Sequence, residues 1–316
     1  MTNAISMTGL TKHYVGAEAL TDLTLEVPSG TVFGFLGPNG AGKTTTMKVL
    51  AGLARATGGI AAINGIPVSP AGAHRRELGY LAQDPRFYDW MTGRETLRYV
   101  ARFRGPDPGR ERWIGDLLGR VGLADAADRR TSTYSGGMRQ RLGIAQALVG
   151  RPAVILLDEP VSSLDPIGRR DVLELMRALK GETTVFYSTH ILDDVERVSD
   201  HVAILDHGRL VKAAPTEALL GSFTKNMLRV VLGGASAATA GSLRQVSGVA
   251  NVTMASRDGD VWTYDVTASD GLSGDVQRAI TRFAVDAGLT LISNSVETLD
   301  LESVFLRLID PKEVAA

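Results

Sequence analysis

Eight consecutive residues, Gly37-Pro38-Asn39-Gly40-Ala41-Gly42-Lys43-Thr44, carry the densest chemical signal in the chain. They match the spacing Gly, any four residues, Gly-Lys-Ser/Thr, in which backbone N–H groups wrap phosphate oxygens. Glycines let the backbone approach the anion closely. A helix starting near Lys43 aims the positive end of its dipole at the same point. In such a loop the Lys43 ammonium reaches the outer phosphates of a nucleotide and the Thr44 hydroxyl ligates Mg2+. Lysine is scarce here, 7 residues against 27 arginines, so composition alone does not put one at this position.

Two more groups suit the same chemistry. The apolar run Ala153 to Leu157 ends in Asp158-Glu159. A carboxylate at the carboxyl end of a buried strand stands where open α/β sheets bind ligands. Asp158 there suits Mg2+ and Glu159 suits general-base activation of water. Taken alone, the pair would read as an acidic helix cap. Upstream, Tyr134-Ser135-Gly136-Gly137-Met138 opens a helix-like run to Val149, an anion-receptive start that alone would be an ordinary capped helix.

The elements that must position these groups alternate. Leu23 to Val27, Thr31 to Leu36, Gly79 to Ala82, Ala153 to Leu157, Thr183 to Thr189 and His201 to Asp206 read as strands. Lys43 to Leu53 and Arg169 to Leu179 read as helices, and Gly58-Gly59 as a break. The β-α-β rhythm predicts a parallel sheet with helices on its faces. Pro85 to about Thr131 breaks the rhythm and reads as a helical insertion, with Leu97, Val100, Ala101 and Phe103 on one face of a helix from Thr92 to Arg104. Arg94, Arg98 and Arg102 make a stripe best read as a solvated face. Beyond Gly221 the order is strand (Met227 to Leu232), helix (Ser236 to Val246), strand (Val249 to Ala255), strand (Val261 to Thr267), helix (Gly274 to Ala287) and strand (Thr290 to Val296). That is the ferredoxin-like order. A last helix carries Leu301, Val304, Phe305 and Leu308 on one face.

Composition narrows the function classes. The 316 residues are 44% hydrophobic and 22% charged, enough for a sizeable core. A net charge of −1 argues against a globally basic nucleic-acid binder, so no nucleic-acid partner is expected. Without cysteine there is no disulfide framework, cysteine-ligated zinc or thiol catalysis. No stretch approaches the ~20 apolar residues of a membrane helix. The start, MTNAISMTGL, lacks a signal-peptide layout. A cytoplasmic location is expected.

A phosphate loop, then Ser-Gly-Gly, then an apolar strand ending Asp-Glu-Pro, resembles the ATP-binding cassette (ABC) family over Met7 to Leu220. Gln83 resembles the family's Q-loop glutamine, Ser163-Leu164-Asp165 its D-loop and His190 its switch histidine. Tyr14 stands where the family stacks an aromatic on adenine. The signature reads Tyr-Ser-Gly-Gly-Met rather than Leu-Ser-Gly-Gly-Gln, and Val161 sits where Thr is common; neither departure removes a catalytic group. Tyr134, Met138, the tail and Leu301 to Leu306 are similar to ATP-binding subunits of bacterial drug and antibiotic exporters, whose permeases are separate polypeptides.

The resemblance implies an α/β fold: an ABC-type phosphate-loop ATPase core with a helical subdomain at 1–221, the insertion at about 85–131, and a small C-terminal α+β domain at 222–316. It implies ATP and Mg2+ as cofactors. ATP would be held by Tyr14, Gly37, Pro38, Asn39, Gly40, Ala41, Gly42, Lys43, Thr44, Thr45, Gln83 and Asp158, with Ser135, Gly136, Gly137 and Asp165 completing the site. Thr44, Gln83 and Asp158 would hold the metal. Glu159, His190, Lys43 and Gln83 would carry hydrolysis. Two identical cassettes would pair head to tail around two ATP molecules. The pair would power an integral membrane permease from the inner face of the cell membrane, with Phe87, Tyr88 and Trp90 as candidate anchors or as packing within the insertion. The competing readings are a soluble, non-transport ABC ATPase and a regulatory ATP-binding module. A single cassette, with no room for a long coiled coil between Lys43 and Tyr134, speaks against translation and repair proteins.

Overall fold

The computed structural model describes residues 2–69, 72–162, 164–224, 227–269, 274–296 and 301–309. Ser163 of the expected D-loop lies outside them. The chain divides into two compact units, Met1–Thr216 and Glu217–Ala316. The division falls ahead of Gly221, where the sequence predicts it.

The first unit opens on a long hairpin, β1 (Asn3–Tyr14) and β2 (Ala17–Pro28), followed by β3 (Val32–Leu36) and α1 (Lys43–Leu50). Then come β4 (Gly58–Ile63), β5 (Ile66–Pro67) and β6 (Leu78–Leu81). The insertion holds α2 (Gly93–Ala101) and α3 (Arg110–Arg120), and α4 (Gly136–Leu148) leads out of it. β7 (Val154–Asp158), α5 (Pro166–Ala178), β8 (Thr184–Thr189), α6 (Leu192–Val198), β9 (His201–Asp206) and β10 (Arg209–Pro215) complete the unit.

One sheet has the order β2-β1-β4-β5 and is antiparallel; the other has the order β10-β9-β3-β8-β7-β6. β9, β3, β8, β7 and β6 run parallel, and β10 joins antiparallel at the edge. Every residue of β3, β7 and β8 is buried, which is why these strands read as unbroken apolar runs. The parallel register places Leu36 beside Thr189, Asp158 beside Ser188 and Leu81 beside Leu157. The segments leaving β3, β6, β7 and β8 therefore emerge at one edge of the sheet.

Some expectations change. β1 is a strand the sequence does not announce, because its buried Ala4, Ile5, Met7 and Leu10 lack a regular period and its pairing with β2 shifts register repeatedly. β4 begins on the glycines read as a break. Gly59 has φ +74°, and a Cβ there would stand 2.2 Å from the Gly9 carbonyl oxygen, so the close approach of β4 to β1 requires glycine. Phe103 is not on the buried face of the insertion helix: α2 stops at Ala101 and a 3-10 turn over Arg102–Arg104 leaves Phe103 74% exposed. Arg94 pairs with Asp128 at 2.8 Å and Arg98 with Glu111 at 2.7 Å, so the arginine stripe ties the insertion together at its surface. Among the described residues no helix is long and apolar enough to cross a membrane.

The second unit holds α7 (Thr216–Thr224, starting at the division), β11 (Met227–Gly233), α8 (Thr239–Leu243), β12 (Val249–Asp258), β13 (Val261–Ala268), α9 (Gly274–Asp286), β14 (Thr290–Val296) and α10 (Leu301–Ile309). Its sheet is antiparallel throughout, in the order β12-β13-β11-β14. Alternate residues Leu228, Val230, Leu232, Trp262, Tyr264 and Val266 form one core with Val276, Ile280 and Ala284 of α9. α8 is shorter than the stretch Ser236 to Val246, since turns occupy both ends.

Candidate active site

The loop between β3 and α1 wraps tightly. Gly42 precedes α1 at φ +106°, and a Cβ on it would lie 2.5 Å from the Ala19 carbonyl oxygen; one on Gly37 would lie 2.3 Å from that of Leu205. Both positions exclude a side chain. Lys43, the first residue of α1, is 6% exposed. Its ammonium donates to the carbonyls of Gly37 at 2.7 Å and Pro38 at 3.2 Å, and lies 3.5 Å from Glu159 Oε1. Burial draws its pKa below the ordinary value, while the Glu159 carboxylate pulls it back up.

A second set of contacts joins the ends of β7 and β8 to the loop. Asp158 Oδ1 accepts from Thr44 Oγ1 at 3.1 Å and from Ser188 Oγ at 2.7 Å. The Glu159 N–H donates to the Ser188 hydroxyl at 3.0 Å. Glu159 itself is a non-glycine residue at φ +50°, a conformation costing on the order of 1–3 kcal/mol that tends to be kept at functional sites. His190 Nδ1 lies 3.0 Å from Glu159 Oε2. Ser188, which holds both acidic residues, has no motif to announce it; its only sequence signal is its place two residues before His190. Tyr80 on β6 is pushed up to about 12, by burial first and by Asp158 second.

A pocket opens on these groups, lined by residues 38–45 with Ala19, Gln83 and Glu159. Thus Pro38, Asn39, Gly40, Ala41, Gly42, Lys43, Thr44, Thr45, Gln83 and Glu159 come together, with Gly37 and Asp158 behind them through Lys43 and Thr44. The other candidates stand apart from it. Tyr14 ends β1, half exposed, with Lys12 Nζ 4.6 Å from its ring centre. Ser135 caps α4 by accepting from the Met138 N–H at 3.3 Å, and Gly136 and Gly137 form its first turn. Asp165 caps α5, accepting from the Gly168 N–H at 2.7 Å. None of these five residues lines the pocket, nor does His190, which reaches it through Glu159.

The arrangement suits a polyphosphate. A buried cation and backbone donors at a helix start attract its anionic oxygens. The Thr44 hydroxyl, Asp158 carboxylate and Gln83 amide are hard oxygen donors, the set that Mg2+ prefers. A carboxylate held by a histidine at the pocket wall can take a proton from water.

Known proteins resemble the chain in sequence and fold. Residues 20–162 match the ABC transporter family. The chain is 38% identical to the daunorubicin/doxorubicin resistance ATP-binding protein DrrA of Streptomyces peucetius over 97% of this chain and 92% of that one. It is 45% identical to YxlF of Bacillus subtilis, an uncharacterized ABC transporter ATP-binding protein, over 65% of this chain and 69% of that one. The bacitracin transport ATP-binding protein BcrA of Bacillus licheniformis is 38% identical, over 69% of this chain and 72% of that one. Among solved structures, an ATP-binding subunit of an ABC transporter aligns with a TM-score of 0.63 at 30% identity, over 70% of this chain and 93% of that one. A cassette solved as a dimer in a post-hydrolysis state with ADP and Pi aligns with a TM-score of 0.61 at 25% identity, over 67% of this chain and 98% of that one. With the loop and Glu159 lining one pocket, Asp158 and His190 bonded to its wall, and relatives matched along most of their length, the chain belongs to the ATP-binding subunits of the ABC transporter family.

Proposed function

We propose that this subunit hydrolyses MgATP in the pocket above and, paired with a second identical copy, drives export of a drug, antibiotic or lipid-like compound through a separate permease. Lys43 and the loop N–H groups hold the phosphates. Thr44, Asp158 and Gln83 hold Mg2+, which supplies charge neutralisation at the phosphates when bound. Glu159 takes the proton from the attacking water, and His190 orients Glu159. Tyr14 stacks on the adenine. Ser135, Gly136, Gly137 and Asp165 act on the ATP of the partner copy. A side chain at Gly136 would meet nothing within 4 Å, so packing within the chain does not call for glycine there, which supports a role toward a partner.

The export reading comes from the similarity to DrrA and BcrA. Tyr88, Trp90, Tyr99 and Phe103 form a row of exposed aromatic rings with centres 5.4–6.0 Å apart. That row supports docking of the permease on the insertion. The second unit is a ferredoxin-like accessory module rather than a second catalytic site.

The observation that carries the proposal is a phosphate-loop pocket lined by Lys43, Thr44 and Glu159, with Asp158 bonded to Thr44 and His190 to Glu159. Its test is ATP turnover and nucleotide affinity of the full chain beside Lys43→Ala, with thermal melting of both. Lys43→Ala should stay folded, bind ATP more weakly and lose hydrolysis. Normal turnover by the folded variant would remove the phosphate-loop assignment.

A further inference from the structure

Outside the pocket, a buried acid remains without a part in the proposed chemistry. Asp194 is wholly buried in the first turn of α6. Arg169, in the first turn of α5, donates its Nε–H to both Asp194 carboxylate oxygens, at 2.8 and 3.0 Å. The neighbours of this pair place it between two motif segments. Asp165 caps α5, and its carbonyl accepts from the Arg169 N–H at 2.9 Å. α6 begins at Leu192, two residues after His190.

α6 has little to hold it by itself. It is seven residues long, and its cap residue Ile191 offers no side-chain acceptor. A helix that short is not stable from its own hydrogen bonds. Its position must come from outside contacts, two of them made by Val195 and Asp194. Val195 lies flat on β3, with its Cγ1 2.8 Å from where a Cβ on Gly34 would stand. The other is the Arg169–Asp194 pair. The His190 side chain is itself 46% exposed, so its site on Glu159 depends on how the backbone on either side is anchored.

We infer that the Arg169–Asp194 ion pair is a positioning device, which fixes the start of α6 against the turn headed by Asp165 and so keeps His190 on Glu159. The inference rests on the proposed ATP hydrolysis. Asp194 is then a positioning residue acting through His190. The asymmetric burial of the pair decides which partner to change. Arg169 is one-third exposed and can turn to solvent when its partner is lost, whereas Asp194 without Arg169 would be a buried, unpaired charge. The informative substitutions are therefore at Asp194. Burial pushes its carboxyl above the ordinary value against the pull of Arg169, so an apolar residue of similar volume costs the fold little.

The experiment is a double-mutant cycle on the full chain, with ATP turnover, KM for ATP and thermal melting measured for each protein. Asp194→Leu keeps the branched outline in a larger side chain and removes the acceptor; Asp194→Ala serves the same cycle if leucine does not fit. Either should lower kcat on the order of tenfold to a hundredfold, the scale of a misplaced catalytic group, with KM for ATP nearly unchanged. Asp194→Asn keeps a carbonyl for the Arg169 N–H and should recover most of kcat. In a His190→Ala background the Asp194 substitution should add nothing, because the residue it positions is gone. A purely structural Asp194 would slow both backgrounds by the same factor. That result, or an unchanged kcat in the wild-type background, would overturn the inference while leaving the ATPase reading intact. A wild-type chain that does not hydrolyse ATP would overturn both.

Discussion

Glu159→Gln tests the chemical centre most directly, because the structure limits what else the change can do. Glutamine has nearly the same shape, so the left-handed backbone at 159 and the N–H bonds to Ser188 are kept. Its amide can still meet His190 Nδ1. What disappears is one negative charge at a residue 6% exposed. Lys43 loses the ion partner at 3.5 Å but keeps its two loop carbonyls and the field of Asp158. The fold should therefore lose no more than about 1–2 kcal/mol, the scale of one charge-assisted contact. ATP should bind at least as tightly, since a carboxylate has left the wall of an anion-binding pocket. Turnover should behave differently. A positioned general base contributes about 10²–10⁴-fold, which at 1.36 kcal/mol per tenfold raises the barrier by roughly 3–5 kcal/mol. The assay is single-turnover phosphate release with nucleotide affinity and melting measured on the same preparation. ATP should also trap a stable dimer, visible by light scattering on a sizing column. A folded Glu159→Gln protein that binds ATP and turns over within about threefold of wild type, far inside the expected loss, would refute the assignment of Glu159 as base.

Two further outcomes follow from the geometry. Gly136→Asp should retain ATP binding yet lose hydrolysis, and mixing it with Lys43→Ala chains should restore part of the activity, because the mixed dimer contains one site with an intact loop and an intact signature; a rate that stays at zero on mixing would contradict the exchange of signatures between copies. His74 sets a pH dependence: it is wholly buried, neither ring nitrogen has a hydrogen-bond partner among the described residues, and burial, aided by Arg75, holds its pKa below the ordinary 6.5. The unfolded chain then takes up a proton that the folded chain refuses, so stability falls as pH drops from 6.5 through the folded value, with a slope of at most about 1.4 kcal/mol per pH unit. Urea denaturation between pH 7.5 and 5 should show that slope reduced in His74→Leu, and an unchanged slope would assign the acid sensitivity to other groups.

Legibility in the sequence followed the range of the contacts. The phosphate loop is readable from its spacing within eight residues, although the clashes that demand Gly37 and Gly42 come from Leu205 and Ala19, distant in sequence. The apolar runs of β3, β7 and β8 are readable because burial on both faces leaves no polar positions. β1 and β4 are not, since their pairing depends on shifted register and on the approach of Gly59 to Gly9 across the sheet. α6 is too short to show a period, and its anchors are Arg169 and Gly34, both distant in sequence. Ser188 is an ordinary strand residue until the parallel register sets it beside Asp158, thirty residues upstream.

The motif residues then separate in a way their sequence cannot express. Lys43, Thr44, Gln83, Asp158, Glu159 and His190 find one another within a chain, because the parallel strands deliver them to one edge. Ser135, Gly136, Gly137 and Asp165 do not; within the chain they cap α4 and α5. Capping explains Ser135 and Asp165, since both side chains accept an N–H at a helix start. It does not explain Gly136, which opens α4 and whose Cβ position is free. No clash within the chain asks for glycine there, so the bare backbone at the start of α4 is left facing outward, as a site for a partner copy's phosphate requires. The mixing experiment with Gly136→Asp and Lys43→Ala bears directly on that reading.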